Sequence, residues 1–362
     1  MASLIKNLMS LKNTKKIDYI QSIEVIKYFL MPFVCFWAFG FPEPTGIVEI
    51  LSGFVVPTYF VLSGFCVLGT EEAERREKLK RVILRSAVLF AALLVIYALI
   101  NLLYPLTPQV FDWGALRSKR LWFNFLVLNM WPLPIGDSIW FVQAMLYAYV
   151  ILWIADRLKL LRFYKPVMVA LFVFMILVGE LSGVIGFSVL GYTFIPGGAI
   201  TRALPYLLLG MLIREKEEKL CYVPAWVYAV IIVIGGGMAV GEAYALSQAG
   251  KLVYLGHMLG YGVMAFATCG LALAWEDMGP NPFSFHGGTH AKRVYAWHNP
   301  VYYLLTYGVV RYRPQSANAM LIYGSIIVFL VCWLVSIVYS FAKRILWMVF
   351  TEKDDDEEDF WG

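Results

Sequence analysis

Long apolar stretches recur along the whole chain, and they constrain its fold more than any other feature of the sequence. A helix needs about 20 mainly apolar residues to cross a membrane. We place ten predicted spans near 19–40, 47–68, 82–104, 138–156, 166–186, 198–213, 222–242, 253–275, 293–310 and 317–341. Of the 362 residues, 60% are hydrophobic, whereas soluble domains have roughly 45–50% apolar residues. The sequence therefore predicts an all-α, polytopic membrane protein with about ten transmembrane helices.

The distribution of Lys and Arg predicts how these helices are oriented. With the N-terminus in the cytoplasm, 22 of the 30 Lys and Arg residues fall in inner stretches and seven in outer ones, and Lys27 lies inside a span. Because cytoplasmic connections carry an excess of Lys and Arg, we expect both termini to be cytoplasmic. The segment 121–134 is too short to span, and its Trp and Pro residues indicate an interfacial or re-entrant piece.

The rest of the composition predicts how the chain is divided and which partners it has. We expect a transmembrane domain over 1–345 and an acidic cytoplasmic tail over 346–362, where a run of like charge has no apolar period. The net charge of +5 is attributed to basic connections that face anionic lipid, so membrane lipids are expected partners and nucleic acid is not. His286 and His290 are four residues apart, but we expect the two glycines between them to break a helix, so no metal site is predicted.

The first apolar stretch contains a charged pair. In "QSIEVIKYFLMP" (21–32), Glu24 and Lys27 are three residues apart and therefore lie on one face of a helix. Two interpretations are open. Lys27 can extend to the inner surface while Glu24 neutralises it, or the pair can belong to a site, because charges inside membranes usually face an internal cavity.

Four segments and one basic loop together resemble one family. "VVPTYFVLSGFCVL" (55–68) is followed by a basic loop, "RREKLKRVILR" (75–85), and by "DSIWFVQAMLYAYVILW" (137–153). "TRALPYLLLGMLI" (201–213) and "GTHAKRVYAWHNPV" (288–301) come later in the chain. In this order they resemble the motifs of the acyltransferase-3 family of integral membrane acyltransferases.

The resemblance implies an activity and also shows a departure from the family. Members typically move an acyl group from cytoplasmic acyl-CoA to a hydroxyl of a sugar or another acceptor. Their first helix normally carries an Arg and, eleven positions later, a His that serves acyl transfer. The corresponding positions here are Gln21 and Pro32. Neither side chain can accept and donate protons as His does, so either another residue acts as the base or the chain has lost catalysis.

Five residues are the candidate site. His298 and Glu24 are the candidate catalytic bases, and a His suits proton transfer because it titrates near pH 6.5. We expect His298 one turn into the ninth helix, on its cytoplasmic side. The alternative is that His298 is a purely structural residue. Lys27, with the inner Lys and Arg of 70–85, would meet the phosphates of CoA. Arg202 would bind a carboxylate or phosphate of the acceptor or anchor the helix at the interface. Trp140 would line a sugar path or belong to an aromatic belt.

Two functions follow from these observations. The first is a membrane O-acyltransferase that modifies a glycan or lipid-linked sugar of the cell envelope, with acyl-CoA as donor and no permanently bound cofactor. The second is a relative that lost catalysis and acts as a glycan or lipid exporter or as a partner subunit. Either protein would be a multi-pass protein of a cell membrane, and we expect the bacterial inner membrane. The sequence does not reveal the acceptor, the acyl chain or the oligomeric state.

Overall fold

The protein is described by a computed structural model that covers residues 20–43, 45–68, 71–103, 114, 117–130, 139–179, 198–250, 258–275 and 279–350. Every regular element in these ranges is helical, which confirms the predicted all-α class. Twelve helices of six or more residues are labelled here in chain order: α1 Ile20–Phe39, α2 Ile47–Ser52, α3 Val55–Leu68, α4 Glu72–Leu103, α5 Lys119–Leu126, α6 Ile139–Arg157, α7 Tyr164–Val178, α8 Leu204–Glu215, α9 Ala225–Gln248, α10 Leu259–Ala274, α11 Pro282–Tyr312 and α12 Ala317–Phe350.

Short helical turns join some of these helices. A 3-10 turn at Leu160–Phe163 precedes α7, and another at Pro314–Ser316 precedes α12. A π-helical turn at Ala199–Ala203 leads into α8, and the single turn Glu217–Leu220 follows α8. Because α5 has only eight residues, it cannot cross a membrane, as the sequence predicted for this region; residues 131–134 of that prediction lie outside the described ranges.

Seven candidate membrane spans are found in the described residues. They are Gln21–Phe39, Ile47–Leu68, Glu72–Leu102, Ile139–Arg157, Leu160–Val178, Ala225–Gln248 and Ile322–Lys343. The predicted spans 198–213, 253–275 and 293–310 are helical in their described parts but are not among the seven, since they are divided, shorter or more polar. The protein is thus a polytopic helical membrane protein, while the count of ten and the orientation stay predictions.

Two helices begin earlier than predicted. The basic segment 75–85 is not a loop, because α4 runs unbroken from Glu72 to Leu103; at 32 residues it is about 48 Å long and exceeds a hydrocarbon core of about 30 Å. In α11 the helix begins at Pro282, where the Asn281 side chain accepts a hydrogen bond from the Ser284 amide at 3.0 Å. This N-cap starts the helix eleven residues before the predicted span.

The centre of the bundle is α3, which packs against α8 on one side. Eleven of its fourteen residues are buried. The two helices touch backbone to backbone, since a Cβ on Gly64 would lie 2.1 Å from the carbonyl oxygen of Leu207 and one on Gly210 would lie 2.1 Å from that of Val61. Only glycine allows helices to approach this closely. The contact fixes α3 as the element around which the other helices are arranged.

A second close contact joins α1 to α11, and these helices run in parallel. Gly287 lies against Glu24, and the ring of Tyr302 stacks on Phe39 at 4.0 Å; both pairs are 263 positions apart in the sequence. A Cβ on Gly287 would lie 1.7 Å from the carbonyl oxygen of Glu24. We call the end of the bundle at Ile20 the inner end and that at Phe39 the outer end, following the predicted orientation.

Candidate functional site

The charged pair of α1 forms as the sequence predicted. Lys27 Nζ donates to Glu24 Oε1 at 2.6 Å, and each side chain is 18% exposed. The second carboxylate oxygen, Oε2, would lie 3.2 Å from a Cβ on Gly288, so it faces α11. It has no hydrogen-bond partner among the described residues. The pair therefore lies inside the bundle near its inner end and does not face lipid.

One narrow stripe of α3 is not buried. It consists of Tyr59, Ser63 and Cys66, which have the i, i+4, i+7 spacing of one helical face. The Tyr59 ring lies 6.5 Å from that of Tyr295 on α11, and the Ser63 hydroxyl is hydrogen-bonded to that of Tyr149 on α6. At the inner end of the stripe the Cys66 thiol is exposed. Tyr59 and Ser63 are partly exposed and Cys66 is exposed, so this is the face of α3 that its neighbours cover least.

Cationic side chains from four helices surround this inner end. The charges of Lys27 and Arg214 act on the Cys66 thiol. The charges of Lys27 and Arg85, and Cys66 itself, act on Lys292. Lys292 precedes the predicted span 293–310, and burial, followed by the charge of Lys27, lowers its pKa. We call this group the inner basic cluster; its members are Lys27, Lys78, Arg85, Arg214 and Lys292. Three of the five also pair with carboxylates, namely Lys27 with Glu24, Lys78 with Glu74 and Arg214 with Glu217. The net charge of the cluster is therefore smaller than five, but it stays positive and attracts phosphate groups.

Two arginines of the predicted phosphate-binding segment have another role. Arg75 Nε and Arg76 Nε each donate to a carboxylate oxygen of Asp156 at 2.9 Å, and the Asp156 side chain is 2% exposed. These bonds hold the start of α4 against the end of α6. Because both guanidinium groups are engaged by a buried carboxylate, we assign Arg75 and Arg76 to structure; this corrects the expectation that all the cations of 70–85 face CoA.

His298 is placed at a different depth from that expected. Because α11 begins at Pro282, His298 is more than four turns into the helix, and its ring lies 5.7 Å from Phe39 at the outer end of α1. The expectation of a position one turn into the helix was therefore wrong, while the side of the membrane on which His298 lies stays a prediction. The ring is 2% exposed, and Nδ1 lies 2.5 Å from the Tyr295 carbonyl oxygen. Because a carbonyl only accepts, Nδ1 carries the proton and Nε2 has the lone pair that a base needs.

The two candidate bases are not brought together. Glu24 lies beside Gly288, ten residues before His298, which corresponds to about 15 Å along the helix axis. Neighbouring positions of α1 and α11 differ by 263 in residue number. Pro32 therefore lies at the level of Tyr295, about one turn below His298. Tyr295 therefore marks the level of the family histidine along the helix axis, and its ring lies 5.5 Å from His298 and 4.6 Å from Phe141.

Arg202 and Trp140 are brought together at the outer end. The Arg202 guanidinium lies over the rings of Trp37 and Trp140, at 5.7 and 5.0 Å from their centroids. It is 3% exposed, unlike an interfacial anchor, which contacts water and head groups. Asn129 fixes the start of α6 by donating to the Trp140 carbonyl at 2.8 Å. From Trp140, ring contacts lead through Phe141 and Tyr295 to His298.

The two histidines near the start of α11 lie on one face of an unbroken helix. Gly287 and Gly288 do not interrupt it, which corrects that expectation, because α1 packs against these glycines. The rings of His286 and His290 are 5.2 Å apart. Burial, followed by the charges of His286 and Arg293, lowers the pKa of His290 to about 4. In the described ranges no group of three His, Cys, Asp or Glu residues could hold a metal ion.

The sequence prediction omitted the stripe of α3 and its partners. The pattern was present in "VVPTYFVLSGFCVL", where Tyr59, Ser63 and Cys66 follow the helical period and the other positions are mostly apolar. Tyr149 and Tyr295 carried no such signal, because their role depends on which helices lie next to α3. The same holds for Gly287, which matters only because α1 packs against it.

The fold and site define a multi-pass, all-helical membrane protein with charged groups at the inner end and an aromatic cluster with a buried arginine at the outer end. Comparison with known families identifies it further. A family model described as an acyltransferase domain, that of the acyltransferase-3 family, matches residues 20–339. The chain belongs to this family, which confirms the resemblance seen in its motifs and makes it a membrane acyltransferase in the general sense. The comparisons with curated proteins and with solved structures find no match.

Proposed function

We propose that this protein transfers an acyl group from acyl-CoA to a hydroxyl of a glycan or a lipid-linked sugar. The inner basic cluster carries the proposal, because it combines several cations with the partly exposed stripe of α3, whose exposed end is Cys66. CoA has phosphates at one end and the thioester at the end of a long arm. The phosphates would bind the cluster, and the arm would follow Cys66, Ser63 and Tyr59 towards the middle of the membrane.

The outer cluster suits the acceptor. Trp37 and Trp140 offer aromatic faces on which a sugar ring can pack, and Arg202 between them suits a phosphate or carboxylate. Donor and acceptor would then meet near Tyr295, at the level where the family places its catalytic histidine. This arrangement fits an acceptor presented on the side of the membrane opposite to CoA.

The chemistry requires a base and an oxyanion donor. His298 Nε2 would take the proton of the acceptor hydroxyl, whose oxygen forms the new ester bond as the carbon–sulfur bond breaks. The proton would then pass to the CoA thiolate. Tyr59 would stabilise the oxyanion, since its hydroxyl has no partner among the described residues. Glu24 is the second candidate for the base, but its carboxylate is engaged by Lys27, so we assign it to holding that lysine.

The test is acyl-dependent release of CoA by the purified protein in the presence of membranes that contain acceptor lipids and glycans. Labelled acyl-CoA should lose its acyl group to an ester in the acceptor fraction. His298→Gln should lower the rate about 10²–10⁴-fold, as expected when a general base is removed. Lys292→Gln should raise the KM for acyl-CoA. The control is Lys80→Gln. Lys80 was expected near CoA as part of 70–85, but it pairs with Glu77 on an exposed face of α4 and lies outside the inner basic cluster, so both constants should stay unchanged.

The alternative function is a catalytically inactive relative that exports a glycan or lipid or acts as a partner subunit. Gln21 and Pro32, at the positions of the family Arg and His, favour it. Wild-type protein that binds acceptor but releases no CoA would support this alternative and contradict the proposed transfer. In either case we propose a cell membrane as its location, the bacterial inner membrane, and modification of envelope polysaccharide as its context.

A further inference from the structure

An apolar groove separate from the proposed acyl-transfer site lies between α7, α8 and α10. It encloses about 300 Å³ and is lined almost completely by apolar atoms, including those of Phe172, Met175 and Phe266. Leu259, at one edge, is 46% exposed. On the neighbouring face of α7, Val169 and Val173 are 57% and 52% exposed. Since α7 belongs to a candidate membrane span, an opening on this side of the groove would meet the hydrocarbon of the bilayer.

One polar group lies in this groove. Tyr206 lines it and is fully buried, with its ring edge-on to Phe172 at 5.2 Å. The hydroxyl has no hydrogen-bond partner among the residues that the structure describes. It is directed at the space left by Gly262, where a Cβ would lie 3.8 Å from the hydroxyl oxygen. A buried donor without an acceptor is unfavourable, so the groove suits a ligand that brings an acceptor to this point.

We propose that this groove binds one acyl chain of a glycerophospholipid from the bilayer, with the ester carbonyl of that chain accepting a hydrogen bond from Tyr206. The apolar walls fit the hydrocarbon, and the single hydroxyl fits a single acceptor beside it. A polyprenyl chain has no oxygen along its hydrocarbon and would leave Tyr206 unsatisfied. The inference goes beyond the proposed acyl transfer and does not depend on it.

The experiment compares two photoreactive lipids in nanodiscs that contain the full-length protein. One is a phosphatidylcholine with a diazirine in an ester-linked chain, and the other is its ether-linked analogue, which lacks the carbonyl. Mass spectrometry locates the cross-links. Wild-type protein should be labelled in the groove about five-fold more by the ester lipid, the factor that one net hydrogen bond provides. In Tyr206→Phe the two lipids should label the groove equally.

A second pair of variants tests whether the groove itself is the binding site. Gly262→Leu fills the space beside Tyr206 and should lower groove labelling about ten-fold. The matched control is Gly241→Leu on α9, where a Cβ meets nothing within 4 Å, and it should be labelled like the wild type. Equal labelling of wild-type protein by both lipids, unchanged labelling of Gly262→Leu, or displacement of the lipid by acyl-CoA would each overturn the proposal. If Gly262→Leu fails to fold, the comparison of groove labelling between wild-type protein and Tyr206→Phe still decides the outcome.

Discussion

Changing the charged pair of α1 tests the proposed inner end of the site. Glu24→Gln and Lys27→Met remove one charge each while nearly preserving volume, which matters because Gly288 lies against the carboxylate. The two side chains are joined at 2.6 Å and are 18% exposed. They therefore resemble a buried pair, for which removing one partner typically costs about 3–5 kcal/mol.

The surroundings predict that the two single changes are unequal. In Glu24→Gln, Lys27 would keep its charge beside the cation of Lys292 without the carboxylate, so we expect the full cost of about 3 kcal/mol. In Lys27→Met, Lys292 still attracts the remaining carboxylate, so about 2 kcal/mol is expected. The double variant leaves no lone charge from the pair, and its cost should fall below the sum of the singles by about 2 kcal/mol.

The assay is a double-mutant cycle on unfolding in detergent, repeated on the KM for acyl-CoA. The matched control is the pair Glu77 and Lys80 on α4, which has the same residue types and spacing but side chains that are 56% and 51% exposed. Its cycle should be additive in stability and without effect on KM. Equal, small and additive effects for Glu24 and Lys27 would refute the claim that this pair is buried beside the inner basic cluster.

Two further predictions concern the scaffold. Asp156→Asn should destabilise the protein by about 3 kcal/mol, because it leaves the guanidinium groups of Arg75 and Arg76 without their buried carboxylate; unfolding in detergent measures this, and a change below 1 kcal/mol would contradict the assignment. Gly64→Ala should destabilise by about 1–3 kcal/mol or more, since the Cβ would lie 2.1 Å from a backbone oxygen. Gly237→Ala, with open space around it, should instead be neutral or slightly stabilising, and equal losses in both would refute the close packing of α3 on α8.

The helix positions that the sequence predicted well are those set by local hydropathy. α1 and α6 begin and end within about two residues of their predicted spans. α3 ends where its predicted span ends and begins after the break that separates it from α2. The start of α11 was missed although Asn281, Pro282 and Ser284 form an N-cap signal, because Gly287 and Gly288 were taken as helix breakers. In the structure these glycines serve the contact with α1, and such tertiary contacts override local propensity.

The site was predictable only where it depends on spacing within one helix. The Glu24–Lys27 pair followed from the helical period, and the observed contact confirms the pairing. The separation of His298 from Glu24 could not be read from the sequence, since it depends on the register between helices more than 250 residues apart. The joining of Arg202 to Trp37 and Trp140 is likewise a contact among three separate segments.

Protection of Cys66 by CoA tests the central claim most directly, because this thiol is exposed at the inner basic cluster while Cys35, Cys269 and Cys332 are buried. The protein would carry Cys221→Ser to remove the other accessible thiol and would be treated with a negatively charged methanethiosulfonate. We predict that CoA slows the modification of Cys66 at least ten-fold and that pantetheine, which lacks the nucleotide phosphates, does not. Lys292→Gln should weaken this protection. Modification at the same rate with and without CoA would contradict the account.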